Sequence, residues 1–315
     1  MKIKNKALLI LCLSLTIAAC SKDDDNSSTT TIRDRAEQQI ADNDSIVQYL
    51  ETHYYNADGV TDALPNFNSL DDIVITELAD GETVPDGHVL LKNAVETKTC
   101  VYADTDYTYY ILRLNQGSGE DAPTFADNVL VNYEGSLLNT GVVFDSTVNP
   151  VMMDLTTLVA GWRKVIPLFN VAGGYTENID GTVSYTNPGL GVMFIPSGLG
   201  YFSASNPGAS YAPLIFKFEL LQTTQNDHDG DGVPSYLEDL NGDGEFTVDY
   251  DETTDTTDDD TDDDGTPDYA DSDDDGDGIL TIYEDLNNDG DPTNDDSDGD
   301  GIPNYLDKDS TQSNQ

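Results

Sequence analysis

The sequence contains few basic residues, few histidines and few cysteines. Lys and Arg number 13 against 61 Asp and Glu in 315 residues, a formal net charge of −48. Because so acidic a surface repels phosphate, this composition excludes a nucleic-acid-binding protein. His53, His88 and His228 have no cysteine or carboxylate partners at a recognisable spacing, and the sequence has no Cys-x-x-Cys, Gly-x-Ser-x-Gly or phosphate-binding motif. A zinc site and nucleophilic catalysis are therefore not expected.

The acidic residues are concentrated in the last part of the chain. Residues 226–315 contain 33 Asp and Glu and a single base, Lys308, a net charge of −32. Hydrophobic residues make up 37% of the sequence and aromatic residues 9%, which is enough to bury a core in part of the chain. The composition therefore predicts two physically different parts joined in one chain.

The N-terminus has the layout of an export signal. Three lysines within the first six residues precede an apolar run over 7–19, which is too short to span a bilayer. Small residues then lead directly to Cys20, and this arrangement resembles the lipobox of bacterial lipoproteins. The resemblance implies that residues 1–19 are removed as a signal peptide and that Cys20 is lipidated. An ordinary secretory signal, or a chance cysteine after an uncleaved anchor, is the alternative.

The residues after Cys20 bear on the cellular location. They read Ser-Lys-Asp-Asp-Asp over 21–25, which is similar to the export signal of surface lipoproteins in the Bacteroidetes. Serine directly after the cysteine resembles the outer-membrane sorting choice. The resemblance implies an outer-membrane lipoprotein exposed on the cell surface, in contact with the membrane through its lipid. Residues 20–31 are polar and predict a flexible tether.

Residues 32–104 are predicted to form an N-terminal helix and an extension of unclear role. The helix is expected over about 34–53, with Ile40, Ile46, Val47 and Leu50 as its apolar positions. Short apolar pieces at 73–75 and 89–91 alternate with Asp-Gly turns. They suggest small strands that extend the next domain.

Residues 105–225 show strand-like patterns and one helical segment. Strands are predicted around 109–112, 129–133 and 214–220, and the last alternates cleanly, as in a sheet with one solvated face. Residues 155–169 have helical character, with Pro167 marking the end. The pattern predicts an α+β fold in which an antiparallel sheet curls over a short helix.

Five sequence blocks follow one another in this region. They are VNYEG at 131–135, GVVFDS at 141–146, LVAGW at 158–162, IPSGLGY at 195–201 and a closing strand at 214–221. In this order they resemble the FKBP family of peptidyl-prolyl cis-trans isomerases. The resemblance implies an FKBP-like fold, rotamase activity without a cofactor, and a role in protein folding, with proline-containing polypeptides as partners.

The same resemblance implies a set of site residues. Trp162, the only tryptophan, would form the floor beneath the proline ring, and Tyr201 would donate its hydroxyl to the substrate. Asp145 would lie at the rim and orient tyrosine hydroxyls. Four residues would form the walls: Tyr133, Phe144, Val159 and Phe216. The alternative is that the aromatic residues are core and Asp145 is a turn or cap residue.

Three departures from the family pattern could reduce activity while binding survives. Val151-Met152-Met153 stands where a wall phenylalanine is usual, and Phe202 follows Tyr201 where glycine is usual. Residues 173–191 look like an insertion at a position where a tight turn is normal. A non-catalytic FKBP-like binding module is therefore the alternative function.

Residues 226–315 repeat aspartate at alternate positions followed by glycine, the spacing of a calcium loop. The repeats resemble thrombospondin type 3 or related bacterial calcium repeats, and imply structural Ca2+ bound by an irregular segment. The predicted ligands fall in four loops: Asp227, Asp229, Asp231 and Glu238; Asp260, Asp262, Asp264 and Asp271; Asp273, Asp275, Asp277 and Glu284; and Asp296, Asp298, Asp300 and Asp307. Weaker copies start at Asp239 and Asp285. A solvating acidic tail is one alternative, and a calcium-dependent surface adhesion protein is another.

Overall fold

The structure is a computed structural model that describes residues 32–57, 69–205, 207–248 and 258–315. The predicted signal peptide, Cys20 and the tether lie outside these residues. The described residues form two α-helices, α1 (Arg35–Thr52) and α2 (Ala160–Val165). They also form twelve strands: β1 (His53–Asn56), β2 (Ile75–Glu77), β3 (His88–Leu90), β4 (Glu96–Tyr102), β5 (Thr105–Asn115), β6 (Asn128–Leu137), β7 (Val143–Ser146), β8 (Val151–Asp154), β9 (Tyr175–Glu177), β10 (Val183–Tyr185), β11 (Gly189–Ile195) and β12 (Leu214–Thr224).

Seven strands form the main antiparallel sheet. Its order is β4-β5-β11-β12-β6-β7, and β8 pairs with the first part of β6, so that β7 and β8 share one edge. The three strands predicted from the sequence lie within β5, β6 and β12. The predicted α+β fold, an antiparallel sheet with a short helix and a following Asp-rich segment, is confirmed.

The predicted helix over 155–169 is shorter than expected. A 3-10 turn at Leu155–Thr157 is followed by extended backbone at Leu158 and Val159, and only then by α2. A second 3-10 turn, Ile166–Leu168, starts where Pro167 provides no N–H for an α-helical ladder. The extended pair places Leu158 and Val159 at a cavity, described below, that a continuous helix would not line.

The second face of the main sheet is covered, not solvated. Ile215 of β12, predicted to face solvent, is 4% exposed and belongs to a core that also contains Ile46 and Leu50 of α1. The helix boundaries agree with the prediction, since the Asp34 side chain caps the helix by accepting from the backbone N–H of Glu37 at 2.9 Å. Ile40, predicted to be an apolar contact, is 66% exposed, because the helix turns a different stripe toward the sheet.

The extension around 73–91 forms a sheet of its own. β2 and β3 both pair with β1, in the order β2-β1-β3, and do not extend the main sheet. The main sheet is extended by β4, which pairs with β5. The predicted insertion contains the β9–β10 hairpin, directly before β11. Within the described ranges, no helix combines the length and the apolar character that a membrane crossing requires.

The Asp-rich segment consists of loops and short 3-10 turns that are held by side-chain hydrogen bonds. Asp227 accepts from the backbone N–H groups of Gly230 and Gly232, and Asp296 accepts in the same way from Gly299 and Gly301. The glycine at the sixth position of each predicted loop has a positive φ, between 94° and 102°. Only glycine adopts this backbone readily, which explains its recurrence.

This segment also contacts the sheet domain. The Glu245 carboxylate forms ion pairs with Arg163 at 2.5 Å and with Lys164 at 2.9 Å, both on α2. His228 lies 3.1 Å from Asp154 at the end of β8. Side chains of the Asp-rich segment therefore hold the helix that carries Trp162.

Candidate active site and candidate metal centres

A cavity of about 160 Å3 opens between β6, β7, the residues before α2 and the 3-10 turn that follows β11. Six of the seven site residues predicted from the sequence line it, and three further residues complete the wall. The predicted ones are Tyr133, Asp145, Val159, Trp162, Tyr201 and Phe216, and the others are Met153, Thr157 and Leu158. Their shared location is a geometric finding, and their catalytic roles stay predictions.

Trp162 is fixed by its position near the start of α2. Its side chain is 2% exposed, and its ring meets Tyr133 and Phe216 edge-on, each with ring centres 5.5 Å apart. Gly161 lets the start of α2 pack closely against β11, because a Cβ atom there would lie 2.6 Å from a methyl group of Ile195. The indole is thereby held rigidly as one surface of the cavity.

Phe144 lies behind the cavity wall. Its ring packs edge-on against Phe216 at 5.7 Å and against Tyr201 at 6.2 Å. Gly135 on β6 leaves room for it, since a Cβ atom there would come within 2.8 Å of both phenylalanine rings. Phe144 therefore supports two residues of the cavity.

The polar groups of the cavity include a carboxylate and two tyrosine hydroxyls. Tyr133 donates its hydroxyl to Asp145 at 2.6 Å. Burial, followed by the Asp145 charge, raises the pKa of Tyr201 above its ordinary value, so this hydroxyl remains a protonated donor at neutral pH. Tyr201 is 38% exposed, so it can reach a bound ligand. The arrangement offers an apolar surface and a hydroxyl donor.

Two departures from the family pattern have clear positions in the structure. Met153 lines the cavity where the family has a phenylalanine wall, while Met152 is 50% exposed. Phe202 has a φ of 45°, an unfavourable backbone for a bulky residue, and its side chain is 9% exposed. The bulky side chain is thus buried, and its neighbours hold it in place.

Four carboxylates meet in one cluster of the Asp-rich segment. Asp229, Asp231 and Glu238 belong to the first predicted loop, and Asp274 comes from the third. Glu238 is 0% exposed and Asp274 is 2% exposed, and neither carboxylate has a hydrogen-bond partner among the described residues. One oxygen each of Asp229 and Asp231 is likewise unpartnered. One carboxylate oxygen from each of the four residues lies within 4.8 Å of the others, and carboxylate oxygens are the ligands that Ca2+ takes.

Burial and mutual repulsion dominate the electrostatics of this cluster. Burial and the neighbouring carboxylates raise the pKa of Glu238 to about 10 and that of Asp274 to about 11. The same causes raise the pKa of Asp229 to about 8. Uncompensated carboxylates are costly to bury, and a divalent cation would supply the missing charge.

Three further groups also have metal-ligand geometry. They are Asp260, Asp262 and Asp264; Asp273, Asp275 and Asp277; and Asp296, Asp298 and Asp300. Glu284, predicted with the second of these groups, is 0% exposed with both oxygens unpartnered among the described residues. Asp227, Asp271 and Asp307 lie in none of the groups. The Asp271 and Asp307 carboxylates instead accept from the backbone N–H two residues ahead.

Sequence reasoning missed Asp274 because of its place in the repeat. It is the second residue of the loop that starts at Asp273, and the alternate-residue pattern assigns the first ligands of that loop to positions 1, 3 and 5. Three consecutive aspartates at 273–275 were the available signal.

Comparisons with known proteins match parts of the chain. Peptidyl-prolyl cis-trans isomerase Mip of Coxiella burnetii is 30% identical over 119 residues, which is 36% of this chain and 43% of the relative. FKBP-type peptidyl-prolyl cis-trans isomerase FkpA of Buchnera aphidicola is 28% identical over 149 residues, 46% of this chain and 52% of the relative. The chain thus spans about half the length of the curated relatives that it matches. A family model described as BamM C-terminal matches residues 228–287.

Two crystal structures were also found to be similar. A peptidyl-prolyl cis-trans isomerase from Pseudomonas syringae pv. tomato has a TM-score of 0.30 and 23% identity, over 37% of this chain and 76% of that one. FkpA from Escherichia coli has a TM-score of 0.32 and 24% identity, over 42% of this chain and 52% of that one. On the sequence matches, the chain is homologous, at low identity and over part of its length, to FKBP-type peptidyl-prolyl isomerases.

Proposed function

We propose that the protein is a peptidyl-prolyl cis-trans isomerase that acts on X-Pro bonds of exported or surface proteins. The observation that carries the proposal is the cavity floored by Trp162, with the Tyr201 hydroxyl and Asp145 at its side. Homology to FKBP-type isomerases supports it at the level of the family.

Isomerisation needs a site of this kind because no covalent chemistry is involved. The barrier of about 18–20 kcal/mol comes from amide resonance, which is lost when the X-Pro bond twists. The twisted form is less dipolar than the planar one, so an apolar pocket favours it. In our proposal the proline ring rests on Trp162, Tyr201 donates to the substrate carbonyl, and Asp145 keeps the Tyr133 hydroxyl turned away from the proline.

The test uses the chain expressed from Ser21 and measures cis-to-trans relaxation of short X-Pro peptides, against a background of tens to hundreds of seconds. We expect Tyr201→Phe to lower kcat/KM about 3- to 10-fold, the effect of one lost hydrogen bond, and Trp162→Ala to abolish most of the acceleration. Tyr175→Phe is the control, since Tyr175 is 57% exposed on the β9–β10 hairpin. Because Trp162 is the only tryptophan, its fluorescence reports peptide binding in the same samples.

The non-catalytic binding module makes a different prediction. A folded chain whose Trp162 fluorescence changes with a proline peptide, but which accelerates no peptide, would favour that alternative. A chain that does neither would contradict both.

We also propose that the Asp-rich segment binds structural Ca2+, in repeats of the thrombospondin type 3 kind. The support is the set of six unpartnered oxygens around Glu238 and Asp274. Calorimetric titration with Ca2+ should show binding that Glu238→Gln weakens, whereas Asp86→Asn, in an exposed turn of the extension, should leave it unchanged. Chelation that abolishes surface adhesion but spares the isomerase would favour the adhesion alternative.

We propose finally that the protein is an outer-membrane lipoprotein exposed on the cell surface, anchored through Cys20. The support is the sequence alone, in the lipobox-like residues and the acidic stretch that follows them. Metabolic labelling with a fatty-acid analogue should mark the protein, and Cys20→Ser should abolish the label. Protease treatment of intact cells should degrade the wild-type protein if it is surface-exposed.

A further inference from the structure

The N-terminal helix reaches across the sheet to the turn that precedes Tyr201. Asp42, on α1, is 2% exposed and lies 155 residues from Ser197 in sequence. Its Oδ2 accepts from the backbone N–H of Ser197 at 2.7 Å and from the Ser197 hydroxyl at 2.6 Å. Its Oδ1 accepts from Gln38, one turn earlier on the same helix, at 2.7 Å. A buried carboxylate with three donors holds its partners in one geometry.

Ser197 in turn fixes the backbone on both sides of Tyr201. The Ser197 carbonyl accepts from the N–H of Gly200 at 2.9 Å and from that of Phe202 at 2.9 Å. Tyr201 lies between these two anchored residues. Any displacement of Ser197 therefore moves the backbone that carries the Tyr201 hydroxyl.

A second residue of α1 holds the same turn from its other side. The Arg35 guanidinium donates to the carbonyl of Gly198 at 3.2 Å, and it lies 4.3 Å from the centre of the Phe202 ring. Phe202 has the unfavourable positive φ noted above, and such a backbone persists only where its surroundings hold it. The cation over the ring and the bond to Gly198 supply that support.

We propose that Asp42 and Arg35 are positioning residues for Tyr201, so that α1 fixes part of the geometry of the proposed isomerase site. This inference rests on the proposed function. It also gives a physical reason why the family's glycine is replaced here: the helix compensates for Phe202 and makes the bulky side chain part of the fixed turn.

The test compares two aspartates of one helix. Asp42→Asn has about the same volume but replaces an acceptor oxygen by a donor, while Asp44→Asn, the control, changes an exposed residue two positions later. We expect Asp42→Asn to lower kcat/KM at least about threefold, close to the effect of Tyr201→Phe. Arg35→Lys, which keeps the charge but loses the planar group, should lower it less than Arg35→Ala does.

A double-mutant cycle separates positioning from a general loss of stability. In a Tyr201→Phe background, Asp42→Asn should lower kcat/KM by less than about twofold, because the hydroxyl it positions is already absent. Hydrogen exchange should also accelerate at Gly200 and Phe202 in Asp42→Asn, with the β5 and β12 amides unchanged. If the two substitutions lower kcat/KM multiplicatively, or if hydrogen exchange at Gly200 and Phe202 is unchanged, the positioning role is wrong while the proposed function stands. A wild-type chain without turnover would overturn the proposed function and this inference with it.

Discussion

Replacing Glu245 tests whether the Asp-rich segment stabilises the sheet domain. The ion pairs that join Glu245 to Arg163 and Lys164 are largely buried, with side-chain exposures of 17%, 14% and 11%. Breaking a fully buried pair costs about 3–5 kcal/mol, because a charge is left without a partner. Both cations here keep a carbonyl acceptor, Thr156 for Arg163 and Gly244 for Lys164. We therefore expect Glu245→Gln to lower the free energy of unfolding by about 2–3 kcal/mol.

The assay is thermal unfolding of the chain expressed from Ser21, at fixed Ca2+ concentration. The expected loss corresponds to a Tm lower by about 3–5 °C. Glu51→Gln is the matched control, because Glu51 pairs with Lys92 at 2.8 Å but both side chains are about half exposed. Such a pair contributes about 0–1 kcal/mol. Equal changes in Tm for the two variants would refute the reasoning, since they would mean that Glu245 supports nothing on α2.

Three further predictions concern single residues. Ile46→Ala should lower the free energy of unfolding by about 2–5 kcal/mol in chemical denaturation, because this side chain is 0% exposed between α1 and the sheet. Gly161→Ala should cost about 1–3 kcal/mol and shift the Trp162 emission, because its Cβ atom would overlap Ile195. Burial raises the pKa of Cys100 to about 11, so about one thiol in a thousand is ionised at pH 8. Alkylation should therefore be slow at pH 8 and rise about tenfold per pH unit up to about pH 10. A labelling rate at pH 8 equal to that of a free cysteine peptide would contradict this.

The main sheet and the cavity could be predicted because their signals are local. The alternation over 214–220 and the sequence blocks that carry Trp162 and Tyr201 are each contained in a few residues, and the structure brings the site residues together as their order implies. The start of α1 could also be predicted, because Asp34 is a cap residue directly before a helical pattern.

The contacts between distant segments could not be predicted in this way. Nothing near Asp42 in sequence indicates that it is buried, since its partner is Ser197, 155 residues later. The solvated face predicted for β12 was wrong for the same reason: the alternation shows Lys217 and Glu219 but not the distant residues, among them Ile46 and Leu50, with which Ile215 shares a core. Likewise, Asp274 meets Asp229, Asp231 and Glu238 through contacts between two loops that are distant in sequence.

Two parts of the cavity are held by residues outside the region of the family motifs. The turn that carries Tyr201 is bound by Asp42, and the helix that carries Trp162 is bound by Glu245. A fragment limited to residues 105–225 would omit both carboxylates and also β4, the strand that pairs with β5 along seven residues. Because the rings and hydroxyls of such a site act only in a fixed geometry, the segments on either side of the motifs stabilise the two elements on which the proposed activity depends.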